Sequence, residues 1–362
     1  MRLWLEVTRL WLLAALVALL PLPIASAQAA HSQRVPDLHV VRWNHGLTDP
    51  QELEASVDAV LGEQMEALHI PGAVFVWVQD GAVLLAKGYG YANLENLKPV
   101  LADETLFAVG SVAKVFTASA VMQLAEQGLL DLHKPVNNYL KDFQIGENCS
   151  EPVTTAHLLT HTAGFDERLT GAYLRASEDL IPLKEYVAES LPPCVRPPGQ
   201  EMSYCNHCYG LAGYLVEEIS EMPFERYVED HIFQPLGMNH SSFRQPLPPE
   251  LAARRAVGYI FAPEIQPTET PYSPFFPSAW LYTTGADMAQ FMIAQLAGAS
   301  GRDTPILEAD TVREMQRRQF AQHPGLEGWT YGYFEHVENG QRAIEKGGDI
   351  SGFSSLLFLL PE

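Results

Sequence analysis

The sequence is poor in basic residues, with 23 Lys and Arg against 44 Asp and Glu in 362 residues. A formal net charge of −21 opposes contact with nucleic acid and with anionic lipid or polymer surfaces. Beyond residue 20 the chain has no apolar run long enough to cross a bilayer, and it has no internal repeat or low-complexity tract. These absences exclude a nucleic-acid partner, a polytopic membrane protein and a repeat architecture. An apolar content of 47% supports a full globular core instead.

Residues 1–27 have the composition of a secretory signal peptide. Arg2 and Arg9 flank a short basic region, residues 10–20 are continuously apolar, and residues 25–27 read Ala-Ser-Ala, a small-residue cleavage site. We therefore expect an extracytoplasmic protein, periplasmic or secreted, with no membrane contact unless this segment stays uncleaved as an anchor.

Four cysteines are few, but in an exported chain they allow disulfides. Cys149 and Cys194 lie in loop-like stretches, which favours a bond between them, while the other pairings stay open. The run Cys205-Asn206-His207-Cys208 resembles a metal cluster only superficially, because it offers three ligands within four residues. We expect no metal and no other cofactor.

Strand-like runs near both ends and a helical middle predict the fold class. Residues 73–78 and 83–90 surround Asp80-Gly81, a strong hairpin signal, and strand character returns beyond residue 329. This order predicts an α/β (α+β) fold, in which a discontinuous domain with an antiparallel sheet flanked by helices receives an inserted all-helical domain. The N-terminal hairpin must then pair with the C-terminal strands in one sheet. The predicted boundaries are 28–50 for an irregular lead-in, 51–105 and 285–362 for the sheet domain, and 106–284 for the mainly helical domain.

The stretch 106–130, LFAVGSVAKVFTASAVMQLAEQGLL, has helical spacing but is apolar on nearly every side. Such a helix is normally buried, yet it carries Ser111 and Lys114 three residues apart and so on one face. A serine beside a buried amine has the ingredients of an activated nucleophile, and no Gly-x-Ser-x-Gly surrounds it as in α/β-hydrolases. The same pattern also fits an N-cap serine with a lysine that extends to solvent.

Two further short motifs place polar groups where a cleft could use them. Tyr204 and Asn206 precede a helical stretch and can project to one side, the phenol as a proton acceptor and the amide as a hydrogen-bonding group. Lys346 closes a strand-like run, and Gly347 and Gly348 after it allow close approach of a substrate backbone. Taken alone, these residues also fit a core tyrosine, a helix N-cap and a plain turn.

The motifs SVAK at 111–114, YCN at 204–206 and KGG at 346–348 occur in the order found in the penicillin-recognising serine hydrolases. The Tyr-x-Asn form resembles class C β-lactamases, D-alanyl-D-alanine carboxypeptidases and related esterases. The resemblance runs from about residue 55 to the end of the sequence and implies a β-lactamase/transpeptidase-like fold. Relatives usually continue with another strand and a terminal helix, so we expect a fragment with an unprotected sheet edge. Supporting stretches are LLTHTAGF at 158–165, PLGMNHSSF at 235–243, LYTTGADMAQF at 281–291 and GFSSLLFLLPE at 352–362.

The resemblance implies acyl transfer through Ser111, which would attack a carbonyl carbon and form an acyl-enzyme. Lys114 and Tyr204 would share the proton transfers, and which of them acts as base stays open. Lys114 and Lys346 would lower the pKa of the phenol.

The resemblance also implies which residues hold the substrate. Backbone N–H groups of Ser111 and Asp349 would form the oxyanion hole, and the amide of Asn206 would hold the substrate's carbonyl or amide side chain. The strand that completes the substrate-binding set comprises Lys346, Gly347, Gly348 and Asp349.

Departures from the family pattern narrow the substrate. Gly347 replaces the hydroxyl residue of Lys-Thr-Gly and Asp349 adds a negative side chain, which weakens the case for a strongly anionic substrate. Trp280 stands where relatives often carry Gly and is expected to narrow or line the cleft. We therefore expect a serine hydrolase acting on a small ester or amide, with peptidoglycan stem peptides next and β-lactams third. The alternative is a penicillin-binding sensor or scaffold domain of the same fold without turnover.

His157 and His161 lie four apart on a helical stretch, as zinc ligands can. No Glu follows His157 as in His-Glu-x-x-His. Their place within LLTHTAGF favours capping or packing roles.

Overall fold

The computed structural model describes residues 49–361, and its longer strands lie near the two ends of that range. The first three strands form one antiparallel sheet in the order β1–β2–β3, and the last three form another in the order β10–β9–β8. Two-stranded pairs β4–β7 and β5–β6 lie between them in sequence. The bounds are β1 Gly72–Gln79, β2 Ala82–Asn93, β3 Lys98–Pro99, β4 Phe107–Ala108, β5 Gly258–Phe261, β6 Ile265–Thr268, β7 Tyr282–Thr283, β8 Phe334–Glu338, β9 Gln341–Ile350 and β10 Phe353–Leu359.

The helices dominate the middle of the chain, as predicted. A π-helical turn, Glu229–Phe233, joins two short helices, and a 3₁₀ turn, Gly110–Val112, leads into the second long helix. The bounds are α1 Pro50–Ala67, α2 Ala113–Glu126, α3 Thr155–Leu159, α4 Leu183–Glu189, α5 Asn206–Ser220, α6 Phe224–Val228, α7 Gln234–Leu236, α8 Pro249–Ala252, α9 Gly285–Ala299 and α10 Ala309–Gln316.

The expectation of a single sheet is wrong for the part of the chain that the structure describes. β1 bonds to β2 and β10 bonds to β9, and the two sheets share no strand pair. An apolar groove of about 1250 Å³ is lined by residues of both β1 and β10, among them Val74, Val76 and Leu357. Strand pairing needs a separation of roughly 4.8 Å, and a groove of this size keeps the two edges too far apart to bond.

The hairpin between β1 and β2 forms where the sequence predicts it. Asp80 and Gly81 take φ values of 53° and 77°. A two-residue turn with positive φ at both positions matches the right-handed twist of the strands it joins, and Asp-Gly is a preferred pair for it. This element was predictable because its cause is local.

The helix α2 is buried on every side over most of its length, as its composition predicts. Every residue from Ala113 to Leu124 is buried, including Lys114, of which 0% is exposed. Phe116 packs against Phe291 of α9 with 4.2 Å between ring centres. The helix therefore forms the centre of the hydrophobic core and carries one lysine into it.

The strand β9 lies directly against the turn that precedes α2. A Cβ built on Gly348 would lie 2.1 Å from the carbonyl oxygen of Val109 and 2.7 Å from the backbone nitrogen of Ser111. No side chain fits at such distances, so glycine at this position sets the spacing between the third motif and the first. At Gly347 the same construction meets nothing within 4 Å.

Both disulfides of the described residues involve loops or helix starts of the middle region. Cys149 bonds to Cys194, as the loop positions suggested, and Cys205 bonds to Cys208 at the start of α5. The signal segment 1–27 and nearly all of the lead-in 28–50 lie outside the described residues. Residues 49–361 fall within one compact unit, and its division at residues 105 and 285 stays a prediction. No helix in residues 49–361 is long and apolar enough to span a bilayer.

We predict that Gly348→Ala destabilises the protein, because the new methyl group would overlap backbone atoms that cannot move independently. Overpacking of this kind costs about 1–3 kcal/mol. Gly347→Ala is the matched control, since its methyl group enters open space one residue away. Thermal unfolding of both variants measures the difference, and equal midpoints would contradict the close approach of β9.

Candidate active site

Ser111 lies in the 3₁₀ turn directly before α2, and its hydroxyl meets the amine of Lys114. Nζ of Lys114 is 3.0 Å from Oγ of Ser111. The two side chains share a face of the helix start, as their spacing predicts. The alternative in which Lys114 extends to solvent is therefore wrong, because the side chain is wholly buried.

Three oxygen atoms surround the amine of Lys114. Besides Oγ of Ser111, Nζ lies 2.6 Å from Oδ1 of Asn206 and 2.8 Å from the carbonyl oxygen of Ser278. A neutral amine has two N–H donors and one lone pair. The amide and backbone carbonyl oxygens can only accept, so they use both donors and leave the lone pair for the Ser111 hydroxyl. The arrangement suits removal of the proton from Ser111.

The protonation of Lys114 agrees with this arrangement. Burial holds the pKa of Lys114 well below its ordinary value, and the charge of Lys346 acts in the same direction. The carboxylate of Glu167 opposes the shift. Desolvation disfavours the charged form of an amine, so the buried lysine is disposed to be neutral.

Lys346 and Tyr204 form the other half of the site. Nζ of Lys346 donates to the phenol oxygen of Tyr204 at 3.2 Å and lies 4.7 Å from the centre of its ring. Burial lowers the pKa of Lys346 to about 7. The three motifs of the sequence thus meet around one hydroxyl, as predicted.

The expected lowering of the phenol's pKa by two lysines is wrong in direction. Burial raises the pKa of Tyr204 to about 12, although its hydrogen bond with Ser111 acts the other way. The physical reason is that Lys114 and Lys346 are themselves buried and lose charge, so they stabilise a phenolate too little to offset desolvation. Tyr204 is therefore a protonated phenol at neutral pH.

Glu167 fixes the orientation of Asn206, and the sequence analysis did not identify it. Its two carboxylate oxygens accept from the backbone nitrogen of Asn206 at 2.9 Å and from Nδ2 at 3.0 Å. These bonds turn Oδ1 of the amide toward Lys114. Burial raises the pKa of Glu167, and its bonds to Asn206 act against that shift. The one signal in the sequence was a carboxylate shortly after the LLTHTAGF stretch.

His161 supports Tyr204 from behind. Nδ1 of His161 accepts the backbone N–H of Cys205 at 3.0 Å, and its ring stacks on Tyr204 with 4.3 Å between centres. Burial keeps the pKa of His161 well below its ordinary value, so the ring stays neutral and able to accept. His157 completes a capping box at the start of α3. The capping and packing roles expected of these two histidines are confirmed.

The backbone N–H of Asp349 takes no part in the hydrogen-bond ladder of its sheet. Ile350 and Phe353 close a two-residue hairpin between β9 and β10, so the alternation of the ladder turns the Asp349 N–H away from β10. On the other side, β8 pairs with β9 no further than Glu345. The N–H groups of Ser111 and Asp349 thus lie on the two segments that approach closely, and their use for an oxyanion stays a prediction.

A cleft of about 410 Å³ opens beside Ser111. Trp280 lines it, as expected, and is held there by a 2.6 Å hydrogen bond from Nε1 to the carbonyl oxygen of Pro271. Gly347 faces open space beside the strand rather than this cleft. Other residues that line the cleft include Tyr173, Asn206, Phe275, Ser278, Asp349, Ser351 and Phe353.

Residues 49–361 contain no group of three or more His, Cys, Asp or Glu side chains placed to hold a metal ion. Cys205 and Cys208 are bonded to each other, so neither offers a thiolate.

This fold and this site define the serine-hydrolase and penicillin-binding type of structure. Residues 57–362 match the family model described as beta-lactamase, which covers most of the chain. The chain belongs to the beta-lactamase family, and the resemblance drawn from its motifs is confirmed.

Individual relatives are distant. Protein flp of Staphylococcus aureus (strain MW2) is 26% identical over 324 residues, which cover 85% of this chain and 61% of that protein. The putative penicillin-binding protein PbpX of Bacillus subtilis (strain 168) is 33% identical over 233 residues, which cover 61% of this chain and 54% of that protein. The chain thus spans little more than half the length of these curated relatives.

A solved structure supports the fold class. The octameric penicillin-binding protein homologue from Pyrococcus abyssi superposes with a TM-score of 0.72 at 27% identity, covering 85% of this chain and 71% of that one. The α/β transpeptidase-like fold expected from the motifs is therefore confirmed.

We predict that Glu167→Gln slows acylation of Ser111 by a fluorophosphonate probe about 10–100-fold, the loss expected from a small misplacement of a reacting group. A glutamine amide cannot accept from both donors of Asn206, so Oδ1 turns away from Lys114. Removing the Glu167 charge also lowers the pKa of Lys114, so the acid limb of the rate profile shifts to lower pH. Asp166→Asn, an exposed neighbour, is the control. If the acid limb of Glu167→Gln lies at the same pH as that of the parent protein, the proposed interaction between Glu167 and Lys114 is contradicted.

We predict that Lys346→Met raises the melting temperature by a few degrees below pH 7, although it disrupts the site. The pKa of Lys346 falls from 10.5 to about 7 on folding, so the unfolded chain binds more protons between these values. The resulting destabilisation is largest below about pH 7 and vanishes above about pH 10.5. The increase in melting temperature caused by Lys346→Met should therefore become smaller as the pH rises from about 7 to about 10.5. Lys134→Met, an exposed control, should show no such trend, and a gain independent of pH would contradict the assignment.

Proposed function

We propose that this protein is an exported serine hydrolase that acts on a small ester or amide through an acyl-enzyme. The observation that carries the proposal is the 3.0 Å contact between Oγ of Ser111 and the buried amine of Lys114. The amine's two other partners, Asn206 and Ser278, present oxygens that only accept. A hydroxyl facing the lone pair of such an amine is an activated nucleophile.

In the acylation step, neutral Lys114 takes the proton of Ser111 as Oγ attacks the carbonyl carbon of the substrate. The carbonyl oxygen becomes an oxyanion, which the backbone N–H groups of Ser111 and Asp349 are placed to stabilise. The start of the helix at Ser111 adds partial positive charge at the same point.

Collapse of the intermediate breaks the bond to the leaving group. The phenol of Tyr204, which is protonated at neutral pH, can give its proton to the departing oxygen or nitrogen, and the proton that Lys114 took from Ser111 then replaces it. Water next attacks the acyl carbon and gives a proton to the again neutral Lys114. As the bond between the acyl carbon and Oγ breaks, Lys114 returns this proton to Ser111 and the acid product leaves.

The substrate class follows from the charge in the cleft. An exposed carboxylate at Asp349, in the lining of the cleft, favours small esters and amides over strongly anionic substrates. Peptidoglycan stem peptides come next, and β-lactams third. PbpX and the P. abyssi homologue both have penicillin-binding names, which supports keeping peptidoglycan stem peptides and β-lactams as candidate substrates.

Two features support a location outside the cytoplasm. Residues 1–27 have signal-peptide composition, and the described residues contain two disulfides. Disulfides persist mainly in oxidising compartments. The small-molecule ester, amide or peptide is the one partner that this proposal requires.

A second candidate is a penicillin-binding sensor or scaffold that is acylated without turnover. It is favoured by the penicillin-binding names among the relatives. Both candidates share the first step, so only the fate of the acyl-enzyme separates them.

Burst kinetics with p-nitrophenyl butyrate and with nitrocefin test the proposal. We expect steady release beyond one equivalent from the ester, and Ser111→Ala should lower the rate by about 10³-fold or more. Ser119→Ala is the matched control, because Ser119 is a buried serine of α2 whose Oγ donates to the carbonyl oxygen of Val115 and contacts the sulfur of Met315 but no residue of the site. One equivalent followed by no further release would favour the sensor. Undiminished turnover by Ser111→Ala would remove Ser111 from the mechanism.

A further inference from the structure

The cleft beside Ser111 combines aromatic walls with one charged group. Tyr173 and Trp280 lie with 5.7 Å between ring centres, and Trp280 also meets Phe275 edge-on at 5.4 Å. Among the described residues that line the cleft, Asp349 alone carries a formal charge at neutral pH. The substrate therefore enters a cleft whose lining combines aromatic rings, polar side chains such as Ser278 and Ser351, and one carboxylate.

The backbone of β9 fixes where this carboxylate lies. Along the strand Lys346, Gly348 and Ile350 are buried, whereas Gly347 and Asp349 are exposed on the opposite face. The backbone N–H of Asp349 is the group placed to hold the substrate's carbonyl oxygen. A substrate bound there must have its neighbouring atoms close to the Asp349 side chain.

No cationic side chain of residues 49–361 pairs with the carboxylate of Asp349. No hydrogen bond or ion pair of its side chain occurs among the described residues, and Lys346 is bonded to Tyr204 on the buried face. Asp349 and Glu167 both contribute to the raised pKa of Tyr204, so their charges act across the site. An unpaired negative charge in the wall of the cleft attracts a cationic ligand and repels an anionic one.

The neighbouring position offers nothing to bind an anion. Gly347 has no side chain, and the space that a side chain would occupy is empty to 4 Å. A substrate carboxylate directed at this part of β9 would meet the carboxylate of Asp349 without a hydroxyl donor beside it. Repulsion of this kind excludes ligands as effectively as a clash.

We propose that Asp349 makes this cleft selective for esters and amides that carry a cationic ammonium group close to the scissile carbonyl. A carboxylate next to aromatic rings is a suitable environment for an ammonium ion, which the rings attract by their π faces. The inference rests on the proposed hydrolase function and adds the charge class of its substrate.

Two isosteric esters test it. Choline butyrate and 3,3-dimethylbutyl butyrate differ only in a quaternary nitrogen in place of a quaternary carbon, and the hydrolysis of both can be followed by acid release in a pH-stat. We expect kcat/KM of the parent protein to favour the choline ester by about tenfold at low salt, and added salt to reduce the ratio. A monobutyl succinate, which is anionic, should be the poorest substrate.

The effect of Asp349→Asn on the ratio isolates the carboxylate. The intrinsic reactivity of the two esters is the same for every variant, so a change in their ratio reports the site alone. We expect the ratio to fall to within about twofold of unity, whatever happens to the absolute rates. Glu345→Gln, on the same face of β9 four residues away, should leave the ratio as in the parent.

The outcomes separate this inference from the function on which it rests. Ser111-dependent hydrolysis with a choline preference that Asp349→Asn leaves unchanged would overturn the inference and leave the hydrolase intact. If no ester is hydrolysed, the proposed function fails. Binding of tetraethylammonium to Ser111→Ala then tests the inference without turnover. If tetraethylammonium binds at least fivefold more weakly to Ser111→Ala/Asp349→Asn than to Ser111→Ala, the inference is supported. If it does not bind, or binds both variants equally, the inference is overturned.

Discussion

The candidate site depends on two buried lysine amines, Lys114 beside the hydroxyl of Ser111 and Lys346 beside the phenol of Tyr204. An isolated charged amine in an apolar interior is strongly disfavoured, so such a site persists only if the amines are neutral or bonded. Lys114 meets both conditions, because its pKa is lowered and its donors have carbonyl acceptors. Lys346 reaches the same state through burial and a bond to Tyr204. The rest of the core holds these groups in place at a cost to stability that function explains.

The parts of this arrangement that sequence reasoning predicted have local causes. Asp80-Gly81 requires no partner to form its turn, and the apolar helix after Ser111 is buried wherever the chain places it. The three short motifs were also recognisable, because their order resembles one family. Even the disulfide between Cys149 and Cys194 followed from loop positions.

The parts that it missed arise from contacts between segments distant in the chain. Glu167 is one carboxylate among many until the fold brings it to Asn206, 39 residues later. The direction of the Tyr204 pKa depends on how deeply the lysines are buried, which no motif states. The hairpin β5–β6 follows no clean alternation, and its Pro267 argues against a strand in sequence terms. Separation of the two sheets is likewise a property of packing.

The two disulfides differ in what they restrain. Cys149–Cys194 closes a loop with a sequence separation of 45, whereas Cys205–Cys208 spans only 3. In the chain-entropy description, the first removes roughly 4 kcal/mol of freedom from the unfolded chain and the second roughly 2 kcal/mol. The short disulfide, with Tyr204 just before it and Asn206 inside it, thus mainly restrains the local backbone that carries these two residues. Oxidation of this protein therefore has two separable consequences. The disulfide Cys149–Cys194 stabilises the whole fold, and the disulfide Cys205–Cys208 aligns the residues around Ser111.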